Sequence, residues 1–132
     1  MVKIPENVLA ALADPKAVKV LTSVNAKGQP HSIVCGSINA PAPNKLIVAE
    51  ILMKTTSANL KKNDRASILV LVGMASYQIN VKVKARITEG PLFDGMNKHL
   101  AAMKLRASAV WTFMPTAVFD QSANPNAGTK LA

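Results

Sequence analysis

The sequence predicts a mainly β domain, a small antiparallel barrel with short peripheral helices, on three observations. Residues Tyr77–Glu89 alternate with period two, Val81, Val83, Ala85 and Ile87 on one face and Lys82, Lys84, Arg86 and Thr88 on the other. Residues 17–24 and 29–38 flank Asn25-Ala26-Lys27-Gly28, a turn with a glycine available for positive φ, so 17–38 reads as a hairpin. The apolar runs Leu46–Ala49 and Arg65–Val72 have strand length, and the second is apolar enough to predict burial on both faces. Short antiparallel strands that dominate a chain of this length close most economically into a barrel.

The remaining elements follow in order. Pro5–Ala13 predicts a helix with Pro5 near its first turn and Val8, Leu9 and Leu12 inward, ended by Asp14-Pro15. Gly36 thins the returning strand where a backbone or a flat ligand can approach. Asn39–Asn44 reads as a proline-rich loop. A short helix then opens near the hydroxyls Thr55, Thr56 and Ser57, with Leu60 as its first inward residue. Gly73–Ser76 turns, and Pro91–Leu105 predicts a helix whose apolar set includes Phe93, Met96, Leu100 and Met103. Residues 107–119 form a final strand interrupted at Pro115, and the polar stretch 120–132 reads as a loose tail. The expected organisation is one domain over residues 1–119 and a C-terminal tail over 120–132.

Composition narrows the function classes. The chain has 132 residues, 49% of them hydrophobic and 17% charged, which suits a globular domain. A mean hydropathy of +0.19 is high for so small a domain and predicts an oligomer that covers part of the apolar surface. No apolar run approaches the roughly 18 residues of a membrane span. The N-terminus MVKIPEN has no signal-peptide pattern, so a cytoplasmic location is expected. With Cys35 as the only cysteine and His31 and His99 isolated, no intrachain disulfide and no metal cluster is expected. The net charge of +9 points to an anionic partner, either nucleic acid or an anionic cofactor or substrate. At 4% aromatic residues the chain has few stacking platforms for a single strand, which counts against nucleic acid.

The stretch Lys45–Asn63 (KLIVAEILMKTTSANLKKN) carries the chemistry. A buried strand there hands over to a helix start with Lys54, Thr55, Thr56 and Ser57 at the junction. The unpaired N–H groups and dipole of a first turn favour an anion, and lysine and hydroxyls add donors suited to a phosphate. An ordinary cap beside a solvated lysine would read the same way.

Taken together, VLTSVNAKGQPHSIV, KLIVAE, MKTTSANLKKN and RASILVLV followed by YQINVKVKARITEG resemble, in order and spacing over residues 15–119, the pyridoxamine 5′-phosphate oxidase-like FMN-binding split barrels. The small bacterial FMN-binding proteins of that family are similar in length. The resemblance implies a six-stranded antiparallel split β-barrel, a homodimer, and FMN at the dimer interface. It puts the FMN phosphate on Lys54, Thr55 and Thr56, with Asn59 as the next candidate. It lays the flavin ring along Ser32, Val34, Cys35 and Gly36 and along Ala49, Glu50 and Ile51. Gln78 would reach the cofactor edge, and Trp111 would cover the ring from the partner subunit. The implied activity is electron transfer or FMN-dependent oxidoreduction, with no catalytic acid or base standing out. Relatives in the wider fold bind a deazaflavin or haem. The chain departs from the small FMN-binding proteins in having Val34-Cys35-Gly36 where they carry polar residues and a tryptophan, and its lysine stands one place earlier. It also lacks the arginine-rich substrate pattern of pyridoxamine-phosphate oxidases, so that reaction is not expected.

Several single residues have plainer readings. Cys35 reads as a small buried strand residue, His31 and His99 as surface residues, and Trp111 as packing. Glu50 would be awkward beside a phosphate and is expected to face solvent or pair with a base. Lys82, Lys84 and Arg86, with Lys61, Lys62 and Arg65, would form a positive rim.

Overall fold

The computed structural model describes residues 2–132. Eleven elements follow one another: α1 (Glu6–Ala13), β1 (Val18–Val24), β2 (Pro30–Val34), β3 (Asn39–Ala42), β4 (Lys45–Glu50), α2 (Lys54–Lys62), β5 (Arg65–Val72), β6 (Ala75–Ile87), α3 (Pro91–Ala101), β7 (Ala109–Asp120) and β8 (Thr129–Lys130). One antiparallel sheet runs in the order β2-β1-β5-β6-β7-β4-β3, with β8 on β7. The segment 35–38 links the two ends of that order, β2 and β3. This is the split-barrel class read from the sequence, with eight strands rather than six because two short ones join the six long ones.

Alternation sets the core. Ile68 and Val70 of β5, Ile79 and Val81 of β6, and Phe113 and Val118 of β7 are almost wholly buried, and Leu21, Leu46 and Val48 meet them from β1 and β4. α1 closes one end with Val8, Ala11 and Leu12, tied down where the Ile4 N–H donates to the Pro43 carbonyl at 2.8 Å. Gly28 takes φ +83 in the β1–β2 turn, the conformation the turn requires.

Several expectations are corrected. Residues 39–42 are strand β3, paired to β4 through Asn39–Ile47 and Ala42–Lys45, so Pro41 sits on a sheet edge where a missing N–H costs little, and only Pro43 and Asn44 form the turn. β5 is buried on one face only: Leu71 is 36% exposed, and its apolar outer face explains why the sequence looked buried on both. Pro115 does not interrupt β7. It pairs with Val81 beside a register shift, the bulged setting a strand proline tolerates. α3 ends at Ala101 rather than Leu105. The stretch after Asp120 is not loose: Thr129 and Lys130 pair with β7, and the Leu131 N–H donates to the Val118 carbonyl at 2.7 Å.

The barrel's outer face carries one row that crosses five strands. Val34, Val20, Leu69, Gln78 and Phe119 are successive direct partners from β2 to β7. Val18 and Leu71 pair beside this row and are 48% and 36% exposed, while Val34 at its end is 73% exposed. Apolar surface this continuous is unusual on a lone domain.

Candidate functional site

Two hollows adjoin at the point where β4 hands over to α2. The first is a cavity of about 590 Å³ between the 33–39 segment, the 49–53 segment, the end of α1 and the second half of α3. The second is a cleft of about 780 Å³ along α2, lined by Lys54, Lys61, Lys62, Ser57 and Glu50. Ile51, Leu52 and Met53 form the wall between them, and Leu52 stands 93% exposed on its crest.

Local sequence explains the cavity. β2 ends at Val34, and the chain passes through Cys35 and Gly36 with the backbone open: a Cβ built on Gly36 meets nothing within 4 Å. α3 roofs the cavity because Leu100 and Ala107 pack on Ala49, and because Asn97 brackets Ala107, donating to its carbonyl at 3.3 Å and accepting from its N–H at 2.7 Å. That leaves Met96, His99 and Met103, spaced three and four apart, on the cavity side. Burial pushes the Cys35 thiol up to about 11, so it lines the cavity as a neutral, unreactive group.

The cleft is built on an uncapped helix. No side chain caps α2 at Met53, and the first turn-closing bond runs from the Ser57 N–H to the Met53 carbonyl at 2.8 Å. The N–H groups of residues 54–56 therefore lack a capping partner beside the Lys54 ammonium. Glu50 at the cleft mouth is fully engaged. Its Oε1 accepts from Ser57 Oγ at 2.5 Å, Trp111 Nε1 at 2.9 Å and Arg86 Nε at 3.2 Å, and its Oε2 accepts from Arg86 Nη2 at 2.7 Å. The Arg86 guanidinium, aided by the Ser57 and Trp111 donors, holds the carboxyl down at about 2 against the opposing effect of burial. Arg86 also lies 5.9 Å from the centroid of the Trp111 ring. Glu50 is thus an anion already neutralised, which removes its conflict with a phosphate in the same cleft.

The structure sorts the residues singled out in the sequence. Val34, Cys35, Gly36, Ala49 and Ile51 line the cavity, and Glu50 and Lys54 line the cleft. Thr55 is exposed and lines neither. Thr56 is fully buried on the barrel side of α2, its hydroxyl without a hydrogen-bond partner. Asn59 points the same way and donates to Ser23 Oγ at 3.1 Å. The first inward residue of α2 is therefore Thr56 rather than Leu60, and the buried face of the helix combines Thr56, Ser57 and Asn59 with the core residue Leu60. Ser32 lies on the outer face of β2, 2.8 Å from the Thr22 hydroxyl. Gln78 is also on the outer face, donating to Asn80 Oδ1 at 2.8 Å, and meets neither hollow of its own chain. Trp111 is 2% exposed and packs in the core, anchored by Glu50. Of the basic stripe, Arg86 is committed to Glu50 and Lys82 lies 3.6 Å from Asp64.

Two lining groups were not singled out as site residues in the sequence. His99 had a readable signal in its spacing from Met96 and Met103. Lys19 had one in its parity with the inward Leu21 and Ser23 of β1. Among the described residues no group of three or more metal-ligating side chains occurs, and no helix is long and apolar enough to cross a membrane.

No curated protein matches the sequence. Among solved structures, HupZ of Group A Streptococcus is similar at 20% identity, covering 95% of this chain and 99% of that one with a TM-score of 0.81. An FMN-binding protein from Syntrophomonas wolfei is similar at 19% identity, covering 80% and 78%, TM-score 0.73. HutZ, the heme storage protein from Vibrio cholerae, is similar at 11% identity, covering 92% and 97%, TM-score 0.66. At these identities the likeness carries the fold. The sequence model of the family described as pyridoxamine 5′-phosphate oxidase matches residues 4–122, nearly the whole barrel. The chain therefore belongs to the pyridoxamine 5′-phosphate oxidase-like family.

Proposed function

We propose that this protein is an FMN-binding flavoprotein with a redox role, working as a homodimer. The observation that carries this reading is the pairing of the two hollows across one wall. An apolar cavity suits a planar ring, and a lysine-lined cleft at an uncapped helix start suits a phosphate. In this reading Lys54, the first-turn N–H groups of α2 and Lys61 hold the phosphate. The open backbone at Cys35–Gly36 and the end of β4 at Ala49–Ile51 receive the ring. Bound flavin supplies two-electron and one-electron chemistry, while the protein supplies position, charge and exclusion of water.

The second copy is read from the outer apolar row. Val34 belongs both to that row and to the cavity wall, so a partner covering the row also reaches the cavity rim. Gln78, in the middle of the row, then faces the partner rather than its own hollows. Leu69→Lys, which puts a charge at the centre of the row, is expected to give a monomer in sedimentation and to weaken FMN binding. A dimer that survives this change contradicts the assignment.

Haem in the same cavity is the second reading, favoured by His99 on the cavity side of α3, between Met96 and, just past the helix end, Met103. Calorimetric titration of the cofactor-free protein separates the two. FMN is expected to bind at least about tenfold more tightly than riboflavin, a difference of about 1.4 kcal/mol that the phosphate contributes. Equal affinity for the two contradicts the cleft assignment, and uptake of haem in place of either flavin selects the second reading.

A further inference from the structure

The cavity wall contains a cation that nothing so far has used. β1 alternates so that Leu21 and Ser23 are buried, and Lys19 shares their face, opposite the fully buried Val70. A lysine at an inward position carries a desolvation cost that normally calls for a carboxylate partner. Lys19 has none. Its Nζ donates to the Ile38 carbonyl at 2.6 Å and makes a long contact of 3.5 Å with the Leu12 carbonyl, and Lys19 lines the cavity beside Ile38 and Leu12. An ammonium has three N–H donors, so one is left after both carbonyls. Among the described residues no aspartate or glutamate lines this cavity, and the other titratable side chains there are His99 and the neutral Cys35 thiol. Burial pulls the Lys19 pKa down, with no negative charge to oppose it. The cavity is apolar, cationic and without a counter-ion.

We propose that Lys19 sets the redox poise of the site by stabilising the negative charge that bound FMN acquires on two-electron reduction, so that the cavity binds reduced FMN more tightly than oxidised FMN. This rests on the FMN reading above. The electron balance is simple. A dihydronicotinamide-class donor transfers a hydride, two electrons and a proton, to the ring N5 and leaves as the nicotinamide cation. The ring is left with one negative charge, spread over its N1–C2 carbonyl edge, and needs no further proton. A cation in an apolar wall favours that product over the neutral oxidised ring.

A purely structural role, pinning the end of α1 to the start of β3, makes a different prediction, and two variants divide the cases. Lys19→Gln keeps an N–H donor for the Ile38 carbonyl but removes the charge, whereas Lys19→Arg keeps the charge. The measurements are the affinity for oxidised FMN and the midpoint potential of the bound cofactor, read by dye equilibration in the wild-type protein and both variants. Lys19→Gln is expected to lower the preference for reduced over oxidised FMN by about tenfold, which is about 30 mV for a two-electron couple. Lys19→Arg is expected to stay close to the wild type. An unchanged potential in Lys19→Gln with FMN binding intact overturns the role of Lys19 and leaves the flavoprotein standing. A wild-type protein that takes up no FMN overturns both, and the uptake measurement identifies that case. Should Lys19→Gln fail to fold, the wild-type potential decides alone: bound FMN must be easier to reduce than free FMN, and an equal or lower potential overturns the proposal.

Discussion

The double variant Lys54→Ala/Lys61→Ala is expected to bind FMN about 100-fold more weakly than the wild type, while its riboflavin affinity changes little. Each lysine contributes a charge-assisted contact to a phosphate in a solvent-open cleft, worth about 1.4 kcal/mol, or tenfold, after screening. The two positions stand seven residues apart on α2, about 10 Å along the helix axis at 1.5 Å per residue, and both line the same cleft. Wild-type FMN affinity is also expected to fall as ionic strength rises, and that dependence should flatten in the variant. Titration with both ligands checks this. Equal losses for FMN and riboflavin would mean that the substitutions disturbed the fold rather than a phosphate site.

Glu50→Ala is the substitution with the largest expected effect on stability. Its carboxylate is the shared acceptor for Arg86, Ser57 and Trp111, and its side chain is only 12% exposed. Removal leaves the Trp111 N–H and the Ser57 hydroxyl without their acceptor and the guanidinium unpaired. At a cleft mouth that solvent partly screens, the cost is about 2–3 kcal/mol. Glu50→Gln, which keeps an acceptor, should recover part of this. The carboxyl is held at about 2, below its ordinary value of 4.5, so its contribution is present above pH 4.5 and is lost as pH falls through about 2. Denaturant melts across that window are expected to show less loss of stability with acid in Glu50→Gln than in the wild type. Parallel curves would mean that the ion pair adds nothing to folding.

The strands were legible where one physical signal dominated. Period-two alternation in β6 and the glycine turn between β1 and β2 determine their own conformations locally, so the hairpin and the facing of alternate side chains could be anticipated. β3 was hidden because Pro41 marks a turn in most contexts and only the edge position makes it strand-compatible, while Pro43 does sit in the turn that follows. β8 was hidden because its two residues gain order from β7 rather than from any pattern of their own. The helix start beside Lys54, whose lack of a side-chain cap only the structure shows, was readable from its lysine and hydroxyls. The inward turn of Thr56 was not, because a polar side chain on a nine-residue helix looks solvent-facing until the fold buries it against the barrel. His99 is exposed, as read from the sequence, and also borders the cavity, whereas the inward place of Lys19 follows only from its strand parity with Leu21 and Ser23.

The central claim is that flavin occupies the paired hollows, and the visible absorption spectrum of the purified protein, followed by mass analysis of any chromophore released on heating, tests it most directly. The expected result is the two-banded spectrum of an oxidised flavin and a released mass equal to that of FMN, at one per chain. A single shifted band with a deazaflavin mass, a Soret band, or a colourless protein that takes up no added FMN would contradict it.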